Sequence, residues 1–129
     1  QSENPIFSRS RKLPPLICSP RHACRTDQAA DWPVVECGGI DNLIDDVLDT
    51  IADESAAVVL EIDGNLPQSE WDNLGDAIVQ IQAISANPLI FRTKNPVLLE
   101  TLLRLYCGRA GYAGAKPARN YGALFIEGI

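Results

Sequence analysis

Short apolar runs alternate with helical apolar stripes along this chain. Runs rich in Val, Ile, Leu and Phe predict β-strands, and the clearest is 56–62 (AAVVLEI), which is apolar enough to be buried on both faces. Apolar positions three and four apart predict amphipathic helices. The predicted strands are 16–18, 33–37, 56–62, 88–91 and 123–126, and the predicted helices are 23–30 (irregular), 40–51, one beginning near Ser69, and 96–106.

Local signals set the predicted helix ends. Ser69 with Asp72 resembles a capping arrangement at the start of the second long helix. Asn95 followed by Pro96 predicts an N-cap and a first helical residue. Gly108 is placed to end that last helix.

Strands that alternate with helices predict an α/β domain. We expect three layers: an open, mainly parallel sheet of about five strands with helices on both faces, as in flavodoxin-like folds. The domain is assigned to residues 14–129, a length typical of one domain. Residues 1–13 are basic and aperiodic, and are predicted to form a disordered arm.

Charge is sorted along the chain. Between Arg25 and Arg92 there are fourteen Asp and Glu residues and no Lys or Arg, whereas both flanks are basic. The net charge of −6 argues against non-specific binding to nucleic acid, and no apolar run approaches the length of a membrane span. No signal-peptide pattern is visible, so we expect a cytoplasmic or organelle-matrix location and no membrane partner.

Five aspartates fall outside the apolar stripe of the helix predicted at 40–51. Several are four residues apart, so they repel one another and favour solvent or a basic protein partner. These candidate partner-binding residues are Asp41, Asp45, Asp46, Asp49 and Asp53.

Polar residues follow the predicted strands, where open parallel sheets bind ligands. Carboxylates beside cationic side chains suit a small anion, a divalent cation or proton transfer, although polar residues at strand ends also simply meet water. No residue is assigned as catalytic and no cofactor is predicted. The candidate ligand-binding residues are Arg21, His22, Gly38, Glu61, Asp63, Asn65, Arg92, Thr93 and Lys94, with Gly64 and Asn95 at the same ends.

Two further motifs have a chemical and a structural interpretation. One is a set of possible zinc ligands, Cys18, His22, Cys24 and Cys37. Their C-x3-H-x-C-x12-C spacing matches no common zinc pattern. Structural thiols are therefore favoured, and no metal is predicted. The glycines of 108–114, beside basic residues, suggest a phosphate cradle. They lack the strand and helix context of such loops, which favours a plain loop.

Residues 33–94 resemble the middle of a response-regulator receiver domain. The likeness lies in the run 58–63, with Asp63 or Glu61 near the phosphate-acceptor position, and in Thr93 at a later strand end. The first predicted strand ends in Cys18-Ser19-Pro20, where receivers have an acidic pair that binds magnesium. The resemblance therefore implies a pseudo-receiver that acts through protein contacts.

Residues 86–126 resemble part of the pterin-binding methyltransferase and dihydropteroate synthase barrels. The likeness lies in 88–91 (PLIF), Asn95-Pro96, the helix leading into 106–110, and 121–123. Arg92 stands where the family has an acidic residue. This resemblance implies a small enzyme or enzyme fragment that uses the polar strand ends.

The sequence therefore supports two functional hypotheses. The first is a non-catalytic α/β binding or regulatory module, receiver-like, which contacts another protein. The alternative is an enzyme or enzyme fragment of the pterin-binding, methyl-transfer type.

Overall fold

The computed structural model describes residues 16–37, 40–50 and 56–129. Its centre is a five-stranded, all-parallel sheet in which the strands follow chain order. The strands are β3 (Val34–Cys37), β4 (Val58–Ile62), β5 (Leu89–Thr93), β6 (Gly111–Gly114) and β7 (Leu124–Phe125). An antiparallel hairpin of β1 (Leu16–Cys18) and β2 (Ala23–Arg25) lies outside this sheet.

Three α-helices connect the strands. They are α1 (Leu43–Thr50), α2 (Trp71–Ile84) and α3 (Pro96–Leu105); 3₁₀ turns at Ile40–Asn42 and Gln68–Glu70 precede the first two, and a third 3₁₀ helix spans Thr26–Asp31. The predicted open, parallel α/β sheet is confirmed.

The three α-helices lie on one face of the sheet. Right-handed connections between strands in chain order place successive helices on the same side. Their apolar stripes bury alternate residues of the central strands, including Leu60 and Phe91, in the larger core. Phe91 also makes an edge-to-face contact with Tyr106, with ring centroids 5.8 Å apart.

The hairpin and the Thr26–Asp31 3₁₀ helix cover the opposite face. Ile17 and Trp32 pack there against Val59 and Ile90, which are the alternate residues of β4 and β5. Helices were predicted on both faces of the sheet. The structure has three α-helices on one face and one 3₁₀ helix, beside the hairpin, on the other.

Two predictions near the N-terminal end of the domain are wrong. Residues 16–18 form a strand, but its partner is β2 and not the parallel sheet. Residues 23–25 are that partner strand, and only the following segment is helical, as a 3₁₀ helix. Because the hairpin buries few residues, its apolar pattern is too short to separate a sheet strand from a covering strand.

The strand β6 lies where the sequence favoured a loop. Its glycines are explained by close packing: a Cβ at Gly111 would lie 2.8 Å from Cγ1 of Ile90 and 3.0 Å from Cγ1 of Ile126. At Gly111 the neighbouring side chains leave no room for a β-branched residue. Gly111 and Gly114 therefore lie in a strand and not in a loop that could cradle a phosphate.

Helix ends are confirmed at one position and corrected at two. Asn95 caps α3 through Oδ1, which accepts from the amides of Val97 (3.1 Å) and Leu98 (3.2 Å). At α2, Glu70 occupies the N-cap without a side-chain cap, so the predicted role of Ser69 is wrong. α3 ends at Leu105, before Gly108.

Gly108 instead joins the hairpin to the end of α3. Its φ is +106°, and a Cβ there would overlap the carbonyl oxygen of Cys18. This close approach lets Cys18 and Arg109 exchange backbone hydrogen bonds of 2.8 and 3.0 Å. The Tyr106 hydroxyl donates to the Cys18 carbonyl (3.0 Å) and accepts from the Leu89 amide (3.2 Å).

Candidate functional site

A pocket of about 630 Å³ opens at the carboxyl ends of β4 and β5. This is the edge at which open parallel sheets bind ligands. We call it the strand-end pocket, and its walls are Glu61, Ile62, Asp63, Gly64, Asn65, Lys94, Asn95 and Pro96.

An ion pair between neighbouring strands stands at the base of this region. Glu61 and Arg92 are aligned in the parallel register, and Arg92 Nε lies 2.5 Å from Glu61 Oε1. Their side chains are 38% and 25% exposed. Because each lies two residues after Val59 or Ile90 in its strand, both share the face of those residues, which is opposite the α-helices.

Turn hydrogen bonds fix the pocket walls. Asp63 Oδ1 accepts from the Asn65 amide (2.9 Å), and Asn95 Nδ2 donates to the Gly64 carbonyl (3.0 Å). Thr93 is buried, and its Oγ1 accepts from the Asn95 amide (3.3 Å). The two loops are therefore tied to each other and to the start of α3.

The charges that remain available are those of Asp63 and Lys94. Both side chains are exposed, and neither forms an ion pair within the described part of the chain. The pocket thus presents one carboxylate and one ammonium group that no charge among the described residues neutralises, with the Asn65 amide beside them.

The structure brings together five of the predicted ligand-binding residues. Glu61, Asp63, Asn65 and Lys94 line the pocket, and Arg92 reaches it through Glu61. Thr93 supports the wall from its buried position. Gly38 lies outside the described residues.

Arg21 and His22 do not join this group. They lie in the turn between β1 and β2, where Arg21 Nη2 donates to the carbonyl of Gln82 near the end of α2 (3.4 Å). Ser19 Oγ in the same turn bonds the Ala86 carbonyl just before β5. These contacts place the turn at the amino end of the sheet. The two residues were expected at the carboxyl end because β1 was predicted to be a strand of the parallel sheet, whereas it pairs with β2.

Three residues near the site were not predicted from the sequence. Ile62 and Pro96 line the pocket, although their patterns indicated only a strand and a helix start. Glu36 is aligned with Glu61 on the neighbouring strand and is exposed. The strand register would have identified Glu36, but register cannot be read from one sequence.

The zinc alternative has no support in the described residues. Among residues 16–37, 40–50 and 56–129, no three His, Cys, Asp or Glu side chains are arranged to hold a metal ion. Cys18 and Cys24 belong to the hairpin, whereas Cys37 packs against the core beneath the α-helices. The four candidate ligands Cys18, His22, Cys24 and Cys37 therefore do not form a cluster.

Cys37 is set apart by its ionisation. Its pKa is raised to about 12, mainly because the thiol is buried and further because the carboxylates of Asp46 and Glu61 are near. The thiol is neutral at physiological pH and is a poor nucleophile or metal ligand in that form.

A second surface lies on the helical side. Asp41, Asp45, Asp46 and Asp49 are exposed, as the sequence predicted, while Asp53 lies outside the described residues. The adjoining α2 adds two exposed carboxylates. We call this the acidic face, and define it as Asp41, Asp45, Asp46, Asp49, Asp72 and Asp76.

Comparisons with protein-family models, curated proteins and solved structures find no match to this chain. In the parts of the chain that the structure describes, no helix has the length and apolar character to cross a membrane.

Proposed function

We propose that this domain is a non-catalytic α/β binding or regulatory module that contacts a basic protein through its acidic face. One observation carries the proposal: two adjacent helices and the 3₁₀ turn before the first of them present six exposed carboxylates, and residues 26–91 contain no Lys or Arg. In the described residues none of these carboxylates has an ion-pair partner. Their mutual repulsion is relieved when a cationic surface docks.

Exposed apolar side chains on the same helices support a protein partner over a small cation. Leu48 on α1 is 41% exposed and Val79 on α2 is 55% exposed. Apolar contact area surrounded by charge is a common arrangement of protein interfaces, in which the charges direct association and the apolar residues add burial. A basic, partly apolar segment of another protein fits both features.

Charge reversal tests the proposal. One variant combines Asp45→Lys, Asp46→Lys and Asp49→Lys. The variant and the wild-type protein are each used as bait in an extract of the source, and mass spectrometry identifies the proteins that each captures. We expect the variant to lose at least one basic protein that the wild type captures, and raised salt to weaken that capture.

A matched control carries the same change of charge elsewhere. Asp27, Asp31 and Glu127 are exposed and lie outside the acidic face, so their replacement by Lys should leave the capture intact. The proposal fails if both triple variants capture the same proteins as wild type.

A second candidate has a specific structural basis. Parallel strands in chain order, with the α-helices on one face, are the arrangement of successive units in a (β/α)₈ barrel, where sites lie at the carboxyl ends of the strands. This supports an enzyme or enzyme fragment of the pterin-binding, methyl-transfer type. Titration with a reduced pterin, followed by amide-detected NMR, tests this candidate. Amide resonances of the pocket residues that do not shift would count against it.

A further inference from the structure

We infer that the strand-end pocket binds a small zwitterion of the α-amino acid class. The ligand carboxylate is held by Lys94 and its ammonium group by Asp63. This inference does not depend on the protein contact at the acidic face, which lies on the helical side of the sheet, and it requires no reaction.

The anion half of the site belongs to Lys94 because the nearby helix terminus is already occupied. Pro96, the first residue of α3, has no amide hydrogen. The amides of Val97 and Leu98 both donate to Asn95 Oδ1. The usual anion-binding groups of a helix N-terminus are thus consumed within the protein. Lys94 remains as the cationic donor of the pocket wall.

The cation half of the site belongs to Asp63. Glu61, the other carboxylate in the wall, is neutralised by Arg92 at 2.5 Å. Asp63 Oδ1 accepts from the Asn65 amide, and Oδ2 can accept from a ligand. An ammonium group is complementary to this carboxylate.

The balance of charge selects a zwitterion over a simple ion. A lone anion is attracted by Lys94 and repelled by Asp63, and the reverse holds for a lone cation. A molecule that carries both charges gains both attractions. Ile62 and Pro96 provide apolar wall beside these groups, and about 630 Å³ is within the range of small-molecule pockets.

Amide-detected NMR titration of the full chain tests the inference. The probe is L-serine, and the two half-ligands are acetate and methylammonium. We expect serine to shift the resonances of residues 61–65 and 94–96 and to bind at least about tenfold more tightly than either half-ligand. Acetate that binds as tightly as serine would overturn the inference, as would a spectrum unchanged by serine in the tens of millimolar.

Variants distinguish a two-point site from simple charge attraction. Lys94→Met should remove the binding of serine and of acetate. Asp63→Asn keeps an Oδ1 acceptor for the Asn65 amide, so the turn is retained, but it should weaken serine at least tenfold and leave acetate at least as tight. Lys116→Met is the matched control and should bind serine as wild type does. Serine binding that survives Asp63→Asn would contradict the assignment. Because neither variant alters the acidic face, failure here leaves the proposed protein contact testable by capture.

Discussion

The two faces of the parallel sheet are covered by different kinds of structure. Three amphipathic helices pack on one face and bury its central strands. On the other face, the hairpin and a 3₁₀ helix reach only the level of Val59 and Ile90. Two residues further along the strands, Glu61 and Arg92 are partly exposed beside the strand-end pocket. The two faces therefore differ in role: the face under the α-helices supplies most of the core, and the less covered face leaves room for a ligand.

The largest expected effect comes from the helical face. Phe91→Ala removes a fully buried ring and its contact with Tyr106, and should lower the free energy of unfolding by about 3–5 kcal/mol. Ile17→Ala on the opposite face should cost less, about 2–3 kcal/mol, because the thinner layer can settle into the space. Urea denaturation measures both. Equal losses would show that the two faces contribute alike.

An intermediate effect is expected where the two faces meet. Tyr106→Phe retains the ring in the helical core but deletes the hydroxyl that bonds Cys18 and Leu89. We expect a loss of about 1–2 kcal/mol, because the buried Leu89 amide loses this acceptor and the Cys18 carbonyl loses one of its two donors. Tyr121→Phe changes the same group at an exposed position and should stay within about 0.5 kcal/mol of wild type. If the two substitutions cost the same, the Tyr106 hydroxyl does not connect the layers.

The smallest effect at neutral pH involves Cys37. Its pKa rises from 9.0 to about 12 on folding, so the folded state retains a proton that the unfolded state loses in this range. Stability should therefore fall as the pH rises from 9 towards 12. Cys37→Ala should be nearly neutral at pH 7 and should show a shallower alkaline decline. Unfolding curves at several pH values would reveal parallel declines if the thiol titrates normally.

The helical face could be predicted from the sequence better than the other. Long stripes on α1, α2 and α3 and the Asn95-Pro96 signal carry enough residues to fix element type and, at α3, the helix start. The hairpin offers three residues a strand, and Ile17 is apolar whether it joins the sheet or covers it. For β6, tight packing of Gly111 against Ile90 and Ile126 replaces the usual strand composition.

A residue of the candidate site was predicted correctly where the strand before it was predicted correctly. Glu61, Asp63 and Lys94 follow strands that were predicted correctly, and they converge. Arg21 and His22 follow a strand that the sequence placed in the wrong sheet, and they lie at the opposite edge. The Glu61–Arg92 pairing depends on strand register, which two isolated runs of apolar residues do not specify.

Chain-ordered strands also set the order in which this protein can assemble. Each strand of the sheet pairs with its neighbour in sequence, so loop closure is modest and pairing can spread from one βα unit to the next. The hairpin is the exception. Its residue Cys18 bonds Tyr106 and Arg109, from which it is separated in sequence by 88 and 91 positions. These hydrogen bonds can form only after α3 has been synthesised, whereas the packing partners Val59 and Ile90 come earlier in the chain. Of the described segments, the hairpin is therefore the first to be synthesised, yet its bonds to the rest of the domain span most of the chain.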